Sequence, residues 1–482
     1  MLTNLPFKRD ANLIAGQWVG ADSGKTLDVT DPATGEHLGS VPNCGRAETR
    51  RAIAAAQAAF PAWRAKTASE RSQILFRLAD IIRQNQEDLA VLLTLEQGKP
   101  LAEARGEVGM SAAYVQWFAE EARRVYGDTI PSPWQGRRII VTKEPVGVVA
   151  AITPWNFPSS MFARKLGAAL AVGCTVVAKP ASQTPYSGIA WGLLCEKAGV
   201  PDGVVNILTG SAREIGGELT DNPLVKKITF TGSTEVGKLL MEQAAKTMKR
   251  ISMELGGNAP FIVFDDADVD AAVEGAIASK FRNTGQTCVC TNRLLVQSGV
   301  YDQFSEKLAK ATAAMKVGNG REAGVVQGPL IDAAAVAKVE EHIADAVQRG
   351  AKVVVGGKRH ALGGTFFEPT VITDVTKDMA VAREETFGPL APIFRFETEE
   401  EAVALANATE YGLACYFYTR DLGRTFRVAE ALQYGQVGIN AGVITTEVAP
   451  FGGVKESGVG REGSKYGCDD YLNIKYMCIG GV

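Results

Sequence analysis

The chain contains 482 residues, of which 46% are hydrophobic and 22% are charged. A chain of this length is too long for one ordinary hydrophobic core, so we expect two or three domains. The composition is typical of a soluble globular enzyme. The net charge of −3 and the isoelectric point near 5.9 give no indication of a nucleic-acid-binding face.

No segment of the sequence is typical of export or of a membrane span. The first ten residues lack an apolar run long enough for a signal peptide. The uncharged stretch from Pro145 to Ala163 has Pro154, Asn156 and Pro158 near its centre, which favours a strand followed by a loop. We therefore expect a cytoplasmic protein with no membrane partner.

The cysteines and histidines give no indication of a metal centre. The eight cysteines are scattered, and none has CxxC spacing. The three histidines, His37, His342 and His360, lie in no recognisable catalytic motif. The sequence therefore predicts neither a metal site nor a Cys–His catalytic pair, and in a reducing compartment we expect free thiols.

The pattern of apolar residues changes along the chain. Residues 46–125 are rich in Ala, Glu and Arg and are predicted to be helical. From about residue 140, short apolar runs alternate with longer amphipathic ones, which predicts a parallel sheet wrapped by helices. The predicted strands are 148–152, 175–178, 204–208, 227–230 and 250–253, and the helices between them are 159–172, 186–198, 211–220 and 234–245.

A second α/β series follows and predicts a second domain. Two further segments, 137–142 and 471–479, alternate apolar and polar residues and are predicted strands. They form either a separate arm or ordinary edge strands of the parent domain. The second series comprises 260–264, 268–281, 293–297, 300–315, 336–349 and 352–355.

Two Gly-containing segments hold residues suited to acyl-thioester chemistry. Cys288 ends the run Gly-Gln-Thr-Cys, and Glu254 begins the run Glu-Leu-Gly-Gly. A thiol can attack a carbonyl carbon, and a carboxylate can later activate the water that releases the acyl group. The sequence therefore predicts Cys288 as a nucleophile and Glu254 as a base.

These two segments resemble the cysteine and glutamate signatures of the aldehyde dehydrogenase superfamily. Five further family segments occur in the same order, so the resemblance covers essentially the whole chain. Among the branches of the superfamily, the chain resembles the NADP-preferring bacterial succinate-semialdehyde dehydrogenases. The five segments are Pro-Trp-Asn-Phe-Pro (154–158), Lys-Pro-Ala-Ser (179–182), Phe-Thr-Gly-Ser-Thr-Glu-Val-Gly (230–237), Glu-Thr-Phe-Gly-Pro (385–389) and Pro-Phe-Gly-Gly (450–453).

The resemblance implies an α/β fold with three parts. These are a doubly wound parallel-sheet cofactor domain, a second α/β catalytic domain and a β oligomerisation arm. The expected NAD(P)-binding domain comprises residues 1–121 and 143–255, and the expected catalytic domain comprises 256–455. Residues 122–142 and 456–482 would form the arm of a homo-oligomer, either a dimer or a tetramer.

Two segments compete as the nucleotide-binding loop. The GxGxxG match at 458–463 follows no apolar strand and opens no βαβ unit, so we reject it. The segment starting at Gly232 follows a predicted strand and opens a helix. Gly232 would permit a sharp turn, and the free N–H groups at the helix start attract a pyrophosphate. Together with the resemblance, this predicts that Gly232, Ser233 and Gly237 bind the cofactor.

The choice of cofactor depends on the end of the second predicted strand, where dinucleotide folds read the adenosine ribose. Lys179 with Ser182 can hold a 2′-phosphate by charge and hydrogen bond, whereas a carboxylate there would repel it. NADP is therefore expected, with NAD as the alternative if Lys179 only bonds the ribose hydroxyls. The resemblance also implies that Glu385 bonds the nicotinamide ribose, with Phe387 and Trp155 beside it.

The expected reaction begins when Cys288 attacks the aldehyde carbon. Asn156 and the backbone N–H of Cys288 would donate to the resulting oxyanion, each donor contributing about 3 kcal/mol of transition-state stabilisation in a dry site. After hydride leaves for the nicotinamide, Glu254 would activate the water that hydrolyses the thioester. Cys290 is interpreted either as a small packing residue or as a disulfide partner for Cys288.

Two arginines flank the predicted catalytic loops. Arg164 interrupts the apolar helix after Asn156, and Arg282 lies six residues before Cys288. Each alone is typical of an ion pair, but two together can clamp a carboxylate. Both match arginines that hold the substrate carboxylate in succinate-semialdehyde dehydrogenases, and Thr445 stands where those enzymes use a serine hydroxyl. Succinic semialdehyde is therefore the expected substrate.

Three alternatives stay open. The first is a different substrate, either glutaric semialdehyde or a broader range of aldehydes, because one methylene changes the binding free energy by only about 1–3 kcal/mol. The CoA-acylating branch of the fold typically lacks the glutamate, so Glu254 argues against it. A catalytically inactive structural or binding protein on this scaffold is disfavoured by the joint presence of Cys288, Glu254 and Asn156.

Overall fold

The computed structural model describes residues 5–482. Its helices, in chain order, are α1 Arg46–Ala65, α2 Ala68–Gln84, α3 Gln86–Gln97, α4 Leu101–Glu121, α5 Pro158–Val172, α6 Pro185–Ala198, α7 Ala212–Asp221, α8 Thr234–Ala245, α9 Val269–Lys280, α10 Tyr301–Ala313, α11 Ala333–Gln348, α12 Ala380–Arg383, α13 Glu399–Asn407, α14 Leu422–Ala431 and α15 Tyr466–Asp469.

The strands fall into three larger sheets and one two-stranded sheet, β3–β4. In chain order they are β1 Asn12–Ile14, β2 Gln17–Val19, β3 Thr26–Thr30, β4 His37–Pro42, β5 Asp128–Ile130, β6 Arg137–Pro145, β7 Val148–Ile152, β8 Thr175–Lys179, β9 Val205–Ile207, β10 Val225–Thr231, β11 Arg250–Glu254, β12 Ala259–Val263, β13 Thr291–Gln297, β14 Lys352–Val355, β15 Thr370–Thr373, β16 Leu390–Phe396, β17 Ala414–Tyr418, β18 Gln436–Ile439, β19 Gly458–Val459 and β20 Leu472–Gly480.

The first sheet has the strand order β19-β11-β10-β7-β8-β9-β1-β2. Its five central strands are parallel, and every residue of β8 is buried, as expected for a parallel sheet covered by helices on both faces. This confirms the predicted α/β fold with a doubly wound sheet. The antiparallel strands β1, β2 and β19 at the edges were not predicted.

The second sheet has the order β14-β15-β16-β13-β12-β17-β18. It is parallel except for β14, which runs antiparallel to β15. The apolar runs 260–264 and 293–297 form two of its central strands, as predicted. The loop between α9 and β13 carries Cys288.

The third sheet has the order β20-β6-β5 and is separate from the other two. Strands β6 and β20 pair antiparallel over nine residues, from Leu472 opposite Pro145 to Gly480 opposite Arg137. These segments are therefore not edge strands of a larger sheet. Gly458–Val459, expected to belong to the arm, instead pairs with β11 in the first sheet. The domain boundaries themselves stay a prediction.

The first sheet brings the predicted catalytic residues to one edge. Asn156 follows β7, and Glu254 is the last residue of β11, so both lie where parallel strands end. Helix α5 starts with Pro158 at its first position and ends at Gly173, whose φ is +98°. All fifteen residues of α5 are buried, which places Arg164 inside the molecule. Within residues 5–482, no helix has the length and apolar character needed to cross a membrane.

Candidate active site

Cys288 lies where two cavities meet. It lines a first cavity of about 250 Å³ and also a second cavity of about 240 Å³. The first cavity is mainly apolar but includes Arg164, Arg282 and Thr445. The residues of the second cavity are Pro154, Trp155, Asn156, Thr231, Gly232, Ser233, Glu254, Leu255, Gly256, Cys288, Glu385 and Phe387. The structure therefore brings most of the predicted site residues around one thiol.

The backbone before Cys288 follows an unusual path. Asn283, Thr284 and Gly285 form a short left-handed turn with φ values of +50°, +59° and +75°. A Cβ atom at Gly285 would lie 2.1 Å from the carbonyl oxygen of Gly388, so that position requires glycine. Left-handed non-glycine residues persist only where their surroundings hold them, and they are frequent at functional sites.

The Cys288 thiol is held in its protonated form by its surroundings. Burial and the nearby Glu385 raise the pKa of Cys288 to about 12, against the opposing effect of the Arg164 guanidinium. A thiol must lose its proton to become a strong nucleophile. Attack by this residue therefore requires a proton acceptor or additional positive charge near the sulfur.

Asn156 is 4% exposed and its side-chain amide is fixed at both ends. Its Nδ2 donates to the carbonyl oxygen of Gln286 at 3.1 Å, and its Oδ1 accepts from the Phe157 N–H at 3.1 Å. An Asn amide has two N–H bonds, so one remains to donate into the second cavity. This arrangement suits an oxyanion donor.

Glu254 is buried at the end of β11. Neither carboxylate oxygen has a hydrogen-bond partner among the described residues. Burial and the neighbouring Glu462 raise the pKa of Glu254 well above its usual range, although Lys165 and Arg164 act in the opposite direction. A carboxyl group with a raised pKa and free acceptor atoms is suited to general acid–base work near neutral pH.

A buried charge cluster lies behind Glu254. The Lys165 ammonium donates to Glu462 and, at 2.7 Å, to the hydroxyl of Thr231 at the end of β10. The same Glu462 lies 3.7 Å from Arg164 Nη1. The Glu462 carboxylate therefore balances the charges of Lys165 and Arg164 and also raises the pKa of Glu254. A change in charge at Glu462 would affect both Arg164 in the first cavity and Glu254 in the second.

Arg164 is 3% exposed and lies between two aromatic rings. Its guanidinium carbon is 4.7 Å from the Tyr114 ring centroid and 4.2 Å from that of Phe451. Within residues 5–482, its Nε and Nη1 make no hydrogen bond. A desolvated guanidinium with unused N–H groups in a cavity wall is suited to binding an anion.

Arg282 reaches the same cavity from the catalytic loop. Its guanidinium carbon lies 5.4 Å from the centroid of the Phe157 ring. Thr445 adds a hydroxyl to the wall, and Met110 and Met161 add flexible apolar surface. Glu103 also lines this cavity, so the lining is not purely cationic.

The turn between β10 and α8 matches the predicted nucleotide loop in position, with one correction. The φ of Gly232 is not positive, so Gly232 is not needed for backbone conformation. It is needed for space, because a Cβ there would lie 2.4 Å from the Phe230 ring. Ser233 caps α8 by accepting from the Val236 N–H at 3.4 Å, and a Cβ at Gly237 would lie 2.4 Å from Leu255.

The segment carrying Glu385 and Phe387 forms the opposite wall of the second cavity. The Phe387 ring packs edge-on against Trp155 with centroids 5.5 Å apart, and Phe387 has a φ of +53°. Burial raises the pKa of Glu385 to about 8, and its Oε1 accepts from the Gly257 N–H at 3.3 Å. His342, which had no predicted role, holds this segment through the Thr386 hydroxyl at 3.0 Å.

Lys179 and Ser182 do not line either cavity. Lys179 ends β8 as predicted, is 5% exposed, and donates to the carbonyl oxygen of Pro180 at 3.2 Å. Burial lowers its pKa to about 8. Ser182 is exposed on the loop that follows. Their role toward a ribose or a phosphate stays a prediction.

Cys290 is buried and its thiol is engaged away from the cavities. Its Sγ donates to the carbonyl oxygen of Gly285 at 3.2 Å and accepts from the Lys280 ammonium at 3.8 Å. Both Cys288 and Cys290 are free thiols. These contacts favour the packing interpretation of Cys290, and the disulfide stays a prediction.

Several residues of the site were not predicted from the sequence. Glu462 and Lys165 are 297 positions apart, and no local motif connects them. Lys165 had one signal, since it is a second charge beside Arg164 in an otherwise apolar helix. Lys99 and Glu107 lie in segments that carried no catalytic signature, although they bond Asn156 and the start of α5. Asn283 lies in the predicted catalytic loop itself, but no role was predicted for it.

Comparison with known proteins gives one consistent result. The model of the aldehyde dehydrogenase family matches residues 18–477. A glutarate-semialdehyde dehydrogenase of Pseudomonas aeruginosa is 65% identical over 474 residues, covering 98% of each chain. An NADP(+) succinate-semialdehyde dehydrogenase of Escherichia coli is 63% identical over 472 residues, again covering 98% of each chain. The crystal structure of an E. coli NADP-dependent enzyme superposes with a TM-score of 0.99 at 62% identity and covers 100% of both chains. The chain therefore belongs to the aldehyde dehydrogenase family and is an NAD(P)-dependent aldehyde oxidoreductase.

Proposed function

We propose that this protein oxidises succinic semialdehyde to succinate with NADP. The observation that carries the proposal is the position of Cys288 between two cavities of different character. One cavity has two guanidinium groups in its wall, and the other has Glu254 and the residues expected to bind the nicotinamide end of the cofactor. An aldehyde with a carboxylate at its far end fits this division.

The first cavity supplies the substrate contacts. Arg164 and Arg282 would hold the substrate carboxylate, and Thr445 would add a hydroxyl hydrogen bond. Arg164 suits this role because it packs against the rings of Tyr114 and Phe451 while its Nε and Nη1 make no hydrogen bond within the described residues. The two relatives named above act on four- and five-carbon semialdehydes, both of which carry such a carboxylate.

The second cavity has residues that fit a dinucleotide. The close approach of backbone at Gly232 and the helix start capped by Ser233 suit a pyrophosphate, and Glu385 would bond the nicotinamide ribose. When bound, NADP accepts the hydride of the aldehyde. Lys179 and Ser182 would favour the 2′-phosphate, in keeping with the NADP named for the E. coli relative.

The protein residues would divide the chemistry as follows. The Cys288 thiol loses its proton to solvent as its sulfur bonds to the aldehyde carbon, and the free N–H of Asn156 and the Cys288 backbone N–H stabilise the oxyanion of the resulting thiohemiacetal. After oxidation to the thioester, Glu254 removes a proton from a water, which attacks the acyl carbon. The acid leaves and the thiol returns.

Glutaric semialdehyde is the second candidate substrate. Met110 and Met161 in the wall of the first cavity are unbranched and flexible, so the cavity can adjust to one more methylene. The 65%-identical relative is named for this aldehyde. Turnover of both semialdehydes at comparable kcat/KM would identify the cavity as length-tolerant.

Product analysis tests the proposal. Purified enzyme with succinic semialdehyde and NADP should form succinate and NADPH in equal amounts, and more slowly with NAD. Adding coenzyme A should leave succinate as the product. Formation of the acyl-CoA instead would assign the protein to the acylating branch, and no NADPH with any aldehyde would identify an inactive scaffold.

The third sheet supports a further part of the proposal, a homo-oligomer. Strand β20 lies at the edge of this sheet and exposes apolar side chains at Ile474, Tyr476 and Ile479. An exposed apolar edge strand favours association with another chain. Sedimentation equilibrium should therefore give a mass of two or four chains, and a mass of one chain would refute it.

A further inference from the structure

We propose that Asn283 is a positioning residue that locks the oxyanion donor Asn156 to the loop of the nucleophile. The inference rests on the proposed function, because it assumes the catalytic roles of Asn156 and Cys288. Asn283 itself lines neither cavity, so its effect would be transmitted through Asn156, which lines the second.

One side-chain amide connects the two segments. Asn283 Nδ2 donates to the carbonyl oxygen of Asn156 at 3.0 Å and to that of Gln286 at 3.2 Å. The carbonyl oxygen of Gln286 also accepts from Asn156 Nδ2 at 3.1 Å. A closed set of hydrogen bonds therefore links the backbone of Asn156, its side chain and the residue two positions before Cys288.

Two features of Asn283 are energetically unfavourable, as is common for residues at functional sites. Asn283 holds a left-handed backbone conformation, with φ +50° and ψ +39°. Its Oδ1 is buried and has no partner within the described part of the chain. The side-chain amide of Asn283 therefore makes only the two hydrogen bonds that Nδ2 donates, which connect the carbonyl groups of Asn156 and Gln286.

Other buried charges hold the same set in place. The Lys99 ammonium donates to the Asn156 carbonyl oxygen at 2.7 Å and to Glu107 at 2.7 Å. The backbone N–H of Asn283 donates to Glu103 at 2.8 Å. Helix α4, which carries both carboxylates, thus fixes the two catalytic loops relative to each other.

The test uses Asn283→Gly with Thr284→Gly as a matched control. Both residues are buried and left-handed, and glycine accepts that conformation at either position. The hydroxyl of Thr284 donates to the Gly328 carbonyl at 3.2 Å and does not contact Asn156. Both variants therefore lose buried side-chain hydrogen bonding and gain loop flexibility, but only Asn283→Gly removes a hydrogen bond to Asn156.

We expect Asn283→Gly to lower kcat about 100-fold, because small misplacements of catalytic groups cost rates of this order. The KM for the semialdehyde and the Kd for NADPH should stay within about threefold, as should kcat for Thr284→Gly. In an Asn156→Ala background, Asn283→Gly should lower kcat by less than about threefold further, since both changes remove the same interaction.

Three results would overturn the inference, and they are distinguishable. If Asn156→Ala lowers kcat but Asn283→Gly adds a further 100-fold in that background, Asn283 acts independently and the proposed function stands. If Asn156→Ala alone leaves kcat unchanged, the oxyanion role fails and the positioning role fails with it. Equal loss in Thr284→Gly and Asn283→Gly would reduce Asn283 to a structural loop residue.

Discussion

At the scale of single residues, the site depends on charges that lie out of water. Glu254 has free carboxylate oxygens and a raised pKa, and Cys288 is a thiol with a pKa near 12. Neither group has these properties in water, where a carboxyl ionises near pH 4 and a thiol near 8.5. Burial, together with Glu462 and Glu385, accounts for both shifts.

The first prediction concerns Glu254→Gln. Because the thioester forms without this base but is not hydrolysed, the variant should release one equivalent of NADPH per active site and then stall. Its steady rate should fall about 100-fold or more. The amide replaces a carboxylate that has no hydrogen-bond partner, so the melting temperature should not fall. Steady turnover near the unmodified rate would remove Glu254 from the base role.

The second prediction concerns pH. Hydrolysis of the thioester needs the ionised form of Glu254. Because the pKa of Glu254 is raised, the rising limb of the plot of kcat against pH should lie above the pH range in which ordinary carboxyl groups ionise. Glu462 raises that pKa, so Glu462→Gln should lower it and move the limb of kcat to lower pH. Glu456→Gln removes the same charge at an exposed position paired with Lys238 and should leave the limb in place. An unmoved limb in Glu462→Gln would contradict this electrostatic account.

The third prediction concerns the thiol pair. Peroxide should inactivate the enzyme through Cys288, and dithiothreitol should restore it if a disulfide with Cys290 forms. Cys290→Ser would then make the inactivation irreversible, because sulfenic acid without a resolving thiol oxidises further. Peptide mapping that never finds a 288–290 link in inactivated protein would leave Cys290 as a packing residue held by Gly285 and Lys280.

At the scale of elements, long periodic segments were predictable and short ones were not. The helix predicted at 234–245 has these bounds in the structure, and 148–152 is a strand. Strands β1, β2 and β19 have two or three residues, too few to show a hydrophobic period. Within the segment 46–125, which was predicted to be helical, α2 and α3 are divided at Asn85, whose side chain caps the end of α2 through the Ile81 carbonyl.

The same contrast applies to the site. Local signatures predicted Cys288, Glu254 and Asn156 as site residues, and all three line the second cavity. The partners that set their chemistry come from distant elements, as Glu462 does before α15. Their contacts arise only when the chain is folded, so no spacing in the sequence could reveal them.

The fourth prediction concerns the loop after β8. Ser182→Glu should raise the KM for NADP at least about tenfold more than it raises the KM for NAD, because a carboxylate would face the 2′-phosphate. The KM for NADP should also rise as pH increases through about 8, where the buried Lys179 ammonium loses its proton. An equal effect on both cofactors would show that neither residue lies near the phosphate.

At the scale of the whole molecule, two sheets and one loop build the site. The first sheet supplies Asn156 and Glu254 at its carboxyl edge, and α5 of the same layer supplies Arg164. The loop leading into the second sheet supplies Cys288 and Arg282. The proposed division of roles between the two cavities predicts that anion recognition and thioester chemistry can be separated by mutation.

The most direct test of the central claim compares succinic semialdehyde with butanal, which has four carbons and no carboxylate. With NADP and the unmodified enzyme, kcat/KM should be higher for the semialdehyde by about 100-fold or more, since charge-assisted hydrogen bonds contribute about 1.5–3 kcal/mol each. Arg164→Ala or Arg282→Ala should raise the KM for the semialdehyde at least about tenfold and leave butanal almost unaffected. If butanal equals or exceeds succinic semialdehyde on the unmodified enzyme, the two arginines are not a carboxylate clamp.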